Sequence, residues 1–196
     1  MSFRYIKHKQ ENLEMKIGIL GAGGTGKSSL AESLSKALQI PFFKSKDITQ
    51  IILTRDGYDY SSGIQIDQFL ANSGRQNEIL RRTIEQQSTG QFVTDRTVVD
   101  LAAYAVCEMH DEIEAVKHIY ETCRKYSTIY THLLLCPWRE KAITDNQKRT
   151  LNPWYQLMIH AVERGILDDW GCSYYVVETD ETNARVLEVS KLLGIS

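Results

Sequence analysis

Residues 21–29 read GAGGTGKSS, and Gly21, Gly26, Lys27 and Ser28 satisfy the spacing G-x-x-x-x-G-K-[ST]. Residues of these types at this spacing hold phosphate. Glycines let main-chain N–H groups approach phosphate oxygens closely and adopt dihedrals closed to other residues. The amides of residues 23–28 can converge on a triphosphate, and the helix that starts behind them adds partial positive charge. Lys27 is expected to reach the β- and γ-phosphates, and the Ser28 hydroxyl to ligate Mg2+. The set expected to bind ATP is therefore Gly21, Gly23, Gly24, Thr25, Gly26, Lys27, Ser28 and Ser29. Gly21, Gly23 and Gly26 also spell the dinucleotide pattern G-x-G-x-x-G. Lys27 at the helix start, and the lack of an acidic residue closing the second strand in the expected way, argue against that use.

Three further groups carry candidate chemistry. Asp95 and Arg96 follow an apolar run, 91–94. An acidic residue at a strand end behind a glycine loop is expected to organise magnesium together with Ser28, and the arginine's planar fork to clamp a phosphate or substrate oxygen. Asp47, in the polar run Lys44-Ser45-Lys46-Asp47 after a second strand, is read two ways. It either binds or deprotonates a substrate hydroxyl, or caps the helix from Ile48 onward. The polar stretch 138–152 holds Arg139, Lys141, Lys148 and Arg149, and is expected to form a lid whose cations neutralise a moving phosphoryl group. Arg149 and Lys148 are the preferred pair. Arg75 is expected near an anionic or polar substrate.

These residues need a scaffold, and the hydrophobic pattern supplies one. Apolar runs at 16–20, 40–43, 91–94, 132–136 and 174–178 read as strands. Between them lie helical patterns: 27–39, 64–87 with a break at Asn72-Ser73-Gly74, a stretch from Asp100 to Tyr120 interrupted near His110-Asp111, 152–170 behind the Asn152-Pro153 start signal, and 182–193. Residues 54–63 read as a loop and a candidate substrate lid. Strand and helix alternate throughout, which predicts an α/β fold: a parallel sheet covered on both faces, with right-handed crossovers. The ligand site belongs at the carboxyl ends of the strands.

The chain has 196 residues and a formal net charge of −2, so composition gives no overall attraction to nucleic acid or anionic lipid. Residues 1–14 are polar and aperiodic and read as a flexible arm, with 15–196 as one domain. No apolar run has the length of a membrane span, and no signal peptide precedes the first strand, which predicts a cytoplasmic location. Cys107, Cys123, Cys136 and Cys172 are scattered without metal-ligand spacing and read as reduced thiols.

With these residues placed, the chain resembles the P-loop nucleoside and nucleotide kinases. It is most similar to the small AAA-like ATP-binding kinases that include the nicotinamide riboside kinase domain, and also to thymidylate and deoxynucleoside kinases. The resemblance rests on GAGGTGKSS, on FVTDRTVVDLAAYA and, more loosely, on DNQKR. It implies a three-layer P-loop fold with a five-stranded parallel sheet in the order 2-3-1-4-5, ATP with Mg2+, and a small acceptor. On this likeness Asp95 and Arg96 match the family's strand-end pair, and Asp47 matches the carboxylate that activates the acceptor hydroxyl. The lid lacks the dense arginines of monophosphate kinases, which favours a hydroxyl of a nucleoside-like acceptor over a monophosphate. Alternatives left open are a monophosphate acceptor, a hydroxylated base in DNA as for phage-type kinases, and an ATPase or nucleotide-binding switch without acceptor. A homodimer is also left open.

Overall fold

The computed structural model describes residues 14–58, 72–139 and 152–194. Its elements, in chain order, are β1 (Lys16–Leu20), α1 (Lys27–Leu38), β2 (Phe42–Phe43), α2 (Ser45–Arg55), α3 (Ser73–Gln87), β3 (Phe92–Thr94), α4 (Val98–Glu108), α5 (Ile113–Tyr126), β4 (His132–Leu135), α6 (Pro153–Asp169), β5 (Tyr175–Val176) and α7 (Thr182–Leu192). The five strands form one parallel sheet in the order β2-β3-β1-β4-β5. This is the expected order.

Strand periodicity divides the core into two layers. Ile17, Ile19, Val93 and Leu134 point to one face, where α1 contributes Leu30, Ala31 and Leu34 and α7 contributes Val189. Leu20, Phe92, Leu133 and Leu135 point to the other, against Ile48 and Ile52 of α2, Leu80 of α3, Leu101 of α4, Ile119 of α5 and Leu167 of α6. Register across the centre pairs Ile17 with Val93 and Ile19 with Leu134. It brings the carboxyl ends of β1, β3 and β4 together.

Local chemistry explains where several helices begin. The break expected at 72–74 is a helix start: Asn72 is the N-cap of α3, and its Oδ1 accepts from Arg75 N at 3.0 Å. The helix expected from Asp100 opens earlier, at Val98. Thr97 caps it, with Oγ1 accepting from Asp100 N at 3.3 Å while Asp100 Oδ2 accepts from Thr97 N at 2.7 Å. That is a reciprocal capping box. The interruption near His110 separates two helices, α4 and α5.

A buried network fixes the end of β3. Gly18 has no Cβ, and one built there would lie 2.7 Å from Thr97 Cγ2 and 2.9 Å from Tyr130 Cδ1. The close approach lets Tyr130 sit beneath α4, where its hydroxyl accepts from Val98 N at 2.9 Å and donates to Gln87 Oε1 at 2.6 Å. Gln87 Nε2 in turn donates to the Arg96 carbonyl at 2.9 Å. Among the described residues no helix is long and apolar enough to cross a membrane. The expected arm, apart from Glu14, most of the 138–152 lid and the end of the 54–63 loop lie outside the described residues.

Candidate nucleotide-binding site

The glycine loop links β1 to α1 with Gly21, Gly24 and Gly26 at φ of 140, 83 and 85°. Only glycine takes these conformations freely. Packing adds a second reason at three positions. A Cβ on Gly21 would lie 2.3 Å from the Cys136 carbonyl oxygen, one on Gly23 would lie 2.8 Å from Gln156 Oε1, and one on Gly26 would lie 2.7 Å from Arg185 Nη1. The loop is thus held by the end of β4 and by the helices α6 and α7.

Lys27 is the first residue of α1. Its Nζ donates to the carbonyl oxygens of Gly21 and, at 2.8 Å, Ala22, so the ammonium lies across the loop. Thr25 Oγ1 braces the same turn by donating to Ala22 O at 2.9 Å. Ser28 Oγ donates to Asp95 Oδ2 at 2.5 Å. Asp95, 5% exposed at the end of β3, accepts a second bond on Oδ1 from Ser45 N at 2.8 Å. The sequence-predicted residues Lys27, Ser28 and Asp95 therefore meet at the carboxyl edge of the sheet. Arg96 follows, with its guanidinium 5.3 Å over the Tyr104 ring and no side-chain hydrogen bond among the described residues. It does not pair with Asp95.

Other expected residues fall differently. Asp47 lies exposed in the first turn of α2, where Lys44 is the N-cap, so Asp47 is not a cap. Arg75 is committed elsewhere: its Nε donates to Asp56 Oδ2 at 2.8 Å and its guanidinium lies over Tyr58. With Arg55, it holds the Asp56 carboxyl below the usual carboxylate range. Arg139 bridges from the end of β4 to the segment after β5, donating to Glu178 O at 2.6 Å and to Asp180 Oδ1 at 2.7 Å. Lys141, Lys148 and Arg149 lie outside the described residues.

Four residues at the site escaped the sequence reading. Arg185 of α7, 6% exposed, donates to Thr25 O at 2.6 Å and Thr179 O at 2.8 Å and so buttresses the loop. Asp100 is buried, and burial pushes its carboxyl up while Lys27 and Arg96 oppose the shift. Gln156 and Glu163 of α6 are buried, and Gln156 Oε1 has no hydrogen bond among the described residues. Burial, reinforced by Asp100, pushes the Glu163 carboxyl well above its ordinary value. Polar residues seven apart on one helix face were the available signal. All four cysteines are free.

A family model described as an AAA domain matches residues 16–185. The chain belongs to the AAA domain family. Solved structures extend this AAA domain's likeness across its length. Deoxyadenosine kinase from M. mycoides, solved with dCMP and a flexible dCDP, is 14% identical, with 92% of this chain and 98% of that chain aligned and a TM-score of 0.63. NadR protein in complex with NR is 13% identical, with 93% of this chain and 52% of that chain aligned and a TM-score of 0.66. Thymidylate kinase from Ehrlichia chaffeensis is 14% identical, with 91% and 98% aligned and a TM-score of 0.53. No curated protein matches the sequence. At such identities the structural likeness is one of fold, and that fold is the one shared by P-loop nucleoside and nucleotide kinases.

Proposed function

We propose that this AAA domain is an ATP- and magnesium-dependent phosphotransferase that moves the γ-phosphate to a hydroxyl of a nucleoside-like acceptor. One observation carries the reading. The loop hydroxyl of Ser28 and the strand-end carboxylate of Asp95 meet directly, with Lys27 across the loop beside them. A turn that only joined strand to helix would need none of the three.

The donor set fits magnesium. Ser28 Oγ and the Asp95 carboxylate are hard oxygen donors, and among the described residues no group of three or more His, Cys, Asp or Glu could hold a metal. Magnesium suits such a site, because it keeps waters and phosphate oxygens and needs only one or two protein ligands. When bound, it supplies charge neutralisation on the β- and γ-phosphates.

The chain's own residues do the rest by positioning and electrostatics. The amides of residues 23–28 bind the phosphates. Lys27 leaves the Gly21 and Ala22 carbonyls for the β- and γ-phosphate oxygens. Arg96, with its donors uncommitted among the described residues, clamps the moving group, and Arg149 supplies a lid cation. Asp95 is engaged at both oxygens, which favours a metal-holding role for it. Asp47, exposed and near the start of α2, then takes the acceptor's proton. A screen of ATP consumption over nucleosides, nucleoside monophosphates and modified DNA tests the reading. We expect turnover with a hydroxyl-bearing nucleoside-like compound, and acceptor-independent hydrolysis would refute a transferase.

A further inference from the structure

Gln156 is a polar side chain that the proposed chemistry leaves without a role. It lies in the first turn of α6, where its N–H donates to Asn152 O at 3.4 Å. The residue is 3% exposed, and its Oε1 has no hydrogen bond among the described residues. A buried amide with an orphaned acceptor is costly, and a methionine would fill the same space without that cost. Such a group is retained where a bound state gives the amide a partner.

The amide lies on the phosphate loop. Gly21, Gly24 and Gly26 have positive φ, but Gly23 does not. What excludes a side chain at Gly23 is Gln156 itself. A Cβ there would meet Oε1 at 2.8 Å, and Cδ and Nε2 at 3.3 Å, as its three nearest neighbours. The place on the loop is specific. Lys27 Nζ donates to the carbonyls of Gly21 and, at 2.8 Å, Ala22, the two residues before Gly23. A loop lysine serves the β- and γ-phosphates, so that end of a triphosphate belongs over this half of the loop, beside Gln156. Phosphate oxygens are acceptors, and Nε2 of a glutamine carries two N–H donors. A half-turn about the last side-chain torsion exchanges Oε1 and Nε2 without moving the carbons. A donor then replaces the orphaned acceptor over the loop.

We infer that Gln156 reads the γ-phosphate. With a nucleoside triphosphate in the cradle its amide turns over, and Nε2 donates to a γ-phosphate oxygen. A diphosphate leaves it no partner there, so the contact separates triphosphate from diphosphate. This rests on the nucleotide-binding part of the reading above, and neither on the acceptor nor on transfer.

Titration calorimetry without acceptor tests it, with magnesium and either ADP or a non-hydrolysable ATP analogue. Gln156→Met nearly keeps the side chain's volume and removes both amide ends. It is expected to weaken the analogue roughly ten- to a hundredfold, as for a hydrogen bond to a charged group, while ADP binds as to the wild type and Tm stays equal or rises. Equal weakening of both nucleotides would reduce Gln156 to a loop brace and overturn the proposal. So would affinities that do not change, or a wild type that binds neither nucleotide. A second measurement uses only the wild type. The Gln156 side-chain amide resonances should shift and gain exchange protection with the analogue and not with ADP, and resonances that respond alike to both would also overturn the proposal. If the discrimination is present but no acceptor supports turnover, the phosphotransferase reading fails and this one stands. If transfer occurs but Gln156→Met binds both nucleotides as the wild type does, this one alone fails.

Discussion

Ser28 and Asp95 are 67 positions apart in sequence, and the Ser28 hydroxyl lies 2.5 Å from Asp95 Oδ2. The same carboxylate receives the Ser45 amide on Oδ1 at 2.8 Å. One side chain therefore ties the glycine loop, the end of β3 and the start of α2 together. Its position follows from the sheet, in which β1 and β3 are neighbours and the last residue of β3, Thr94, is registered on Gly18.

Asp95→Asn separates the structural from the electrostatic part of this link. The amide oxygen can still accept from Ser45 N, but the negative charge is gone. We predict an intact fold by circular dichroism and a loss of about 10²–10³-fold in kcat, in line with removal of one preorganised charged group. The affinity for ATP should lose its magnesium dependence. Unchanged magnesium dependence in calorimetric titrations would remove Asp95 from the metal site.

Gly21→Ala tests the cradle's shape. The added methyl group would meet the Cys136 carbonyl, a backbone atom that cannot swing aside, at a residue whose φ is 140°. We predict destabilisation of about 2 kcal/mol or more, from overpacking and an unfavourable dihedral together. Chemical denaturation reads this directly, and an unchanged midpoint would mean the loop can open away from β4.

Arg185→Ala removes the buttress behind the loop. Its guanidinium bonds to Thr25 O and Thr179 O would leave two carbonyls without this donor. Hydrogen bonds to charged groups contribute about 1.5–3 kcal/mol each, so we expect a clear fall in Tm. Nucleotide affinity should fall as well, because Thr25 belongs to the phosphate cradle. Arg185→Lys should recover little, since an ammonium lacks the fork that spans both carbonyls. Full recovery by lysine would show that charge alone matters there.

Much of this architecture was legible in the sequence. The apolar runs were enough for all five strands and for a parallel sheet, and the resemblance to P-loop kinases implied their order. The Ser28–Asp95 meeting was expected from an acidic residue at a strand end behind a glycine loop. The helix starts were harder, since each depends on one side-chain bond. Asn72 reads as a break in a helical pattern until its oxygen is seen on Arg75 N, and Thr97-Val98-Val99-Asp100 carries a capping box that apolar periodicity overlooks. Arg75 and Arg139 were assigned by charge, but arginines pair with whichever carboxylate the fold brings near, here Asp56 and Asp180. Glu163 was missed because one acid in a long helical pattern looks like surface, and only the tertiary packing buries it.

Stability should carry the signature of that buried acid. The folded-state pKa of Glu163 is raised by burial, so folded protein holds its proton more tightly than unfolded chain does. Its contribution to stability is full below the ordinary glutamate pKa and is lost as pH rises through the raised value. Glu163→Gln abolishes the titration, while the half-buried histidines His132 and His160, both lowered by burial, contribute equally to both proteins. The Tm of the variant minus that of the wild type should therefore grow as pH rises above the ordinary glutamate pKa of about 4.3. A flat difference would mean that Glu163 titrates normally.

The phosphotransferase account is tested most directly by following labelled γ-phosphate from ATP, with magnesium and a nucleoside acceptor, in the wild type and in Lys27→Ala. The account predicts label on the acceptor with the wild type, none with the equally folded variant, and none when magnesium is chelated. Label released only as inorganic phosphate, or transfer that persists in Lys27→Ala, would contradict it.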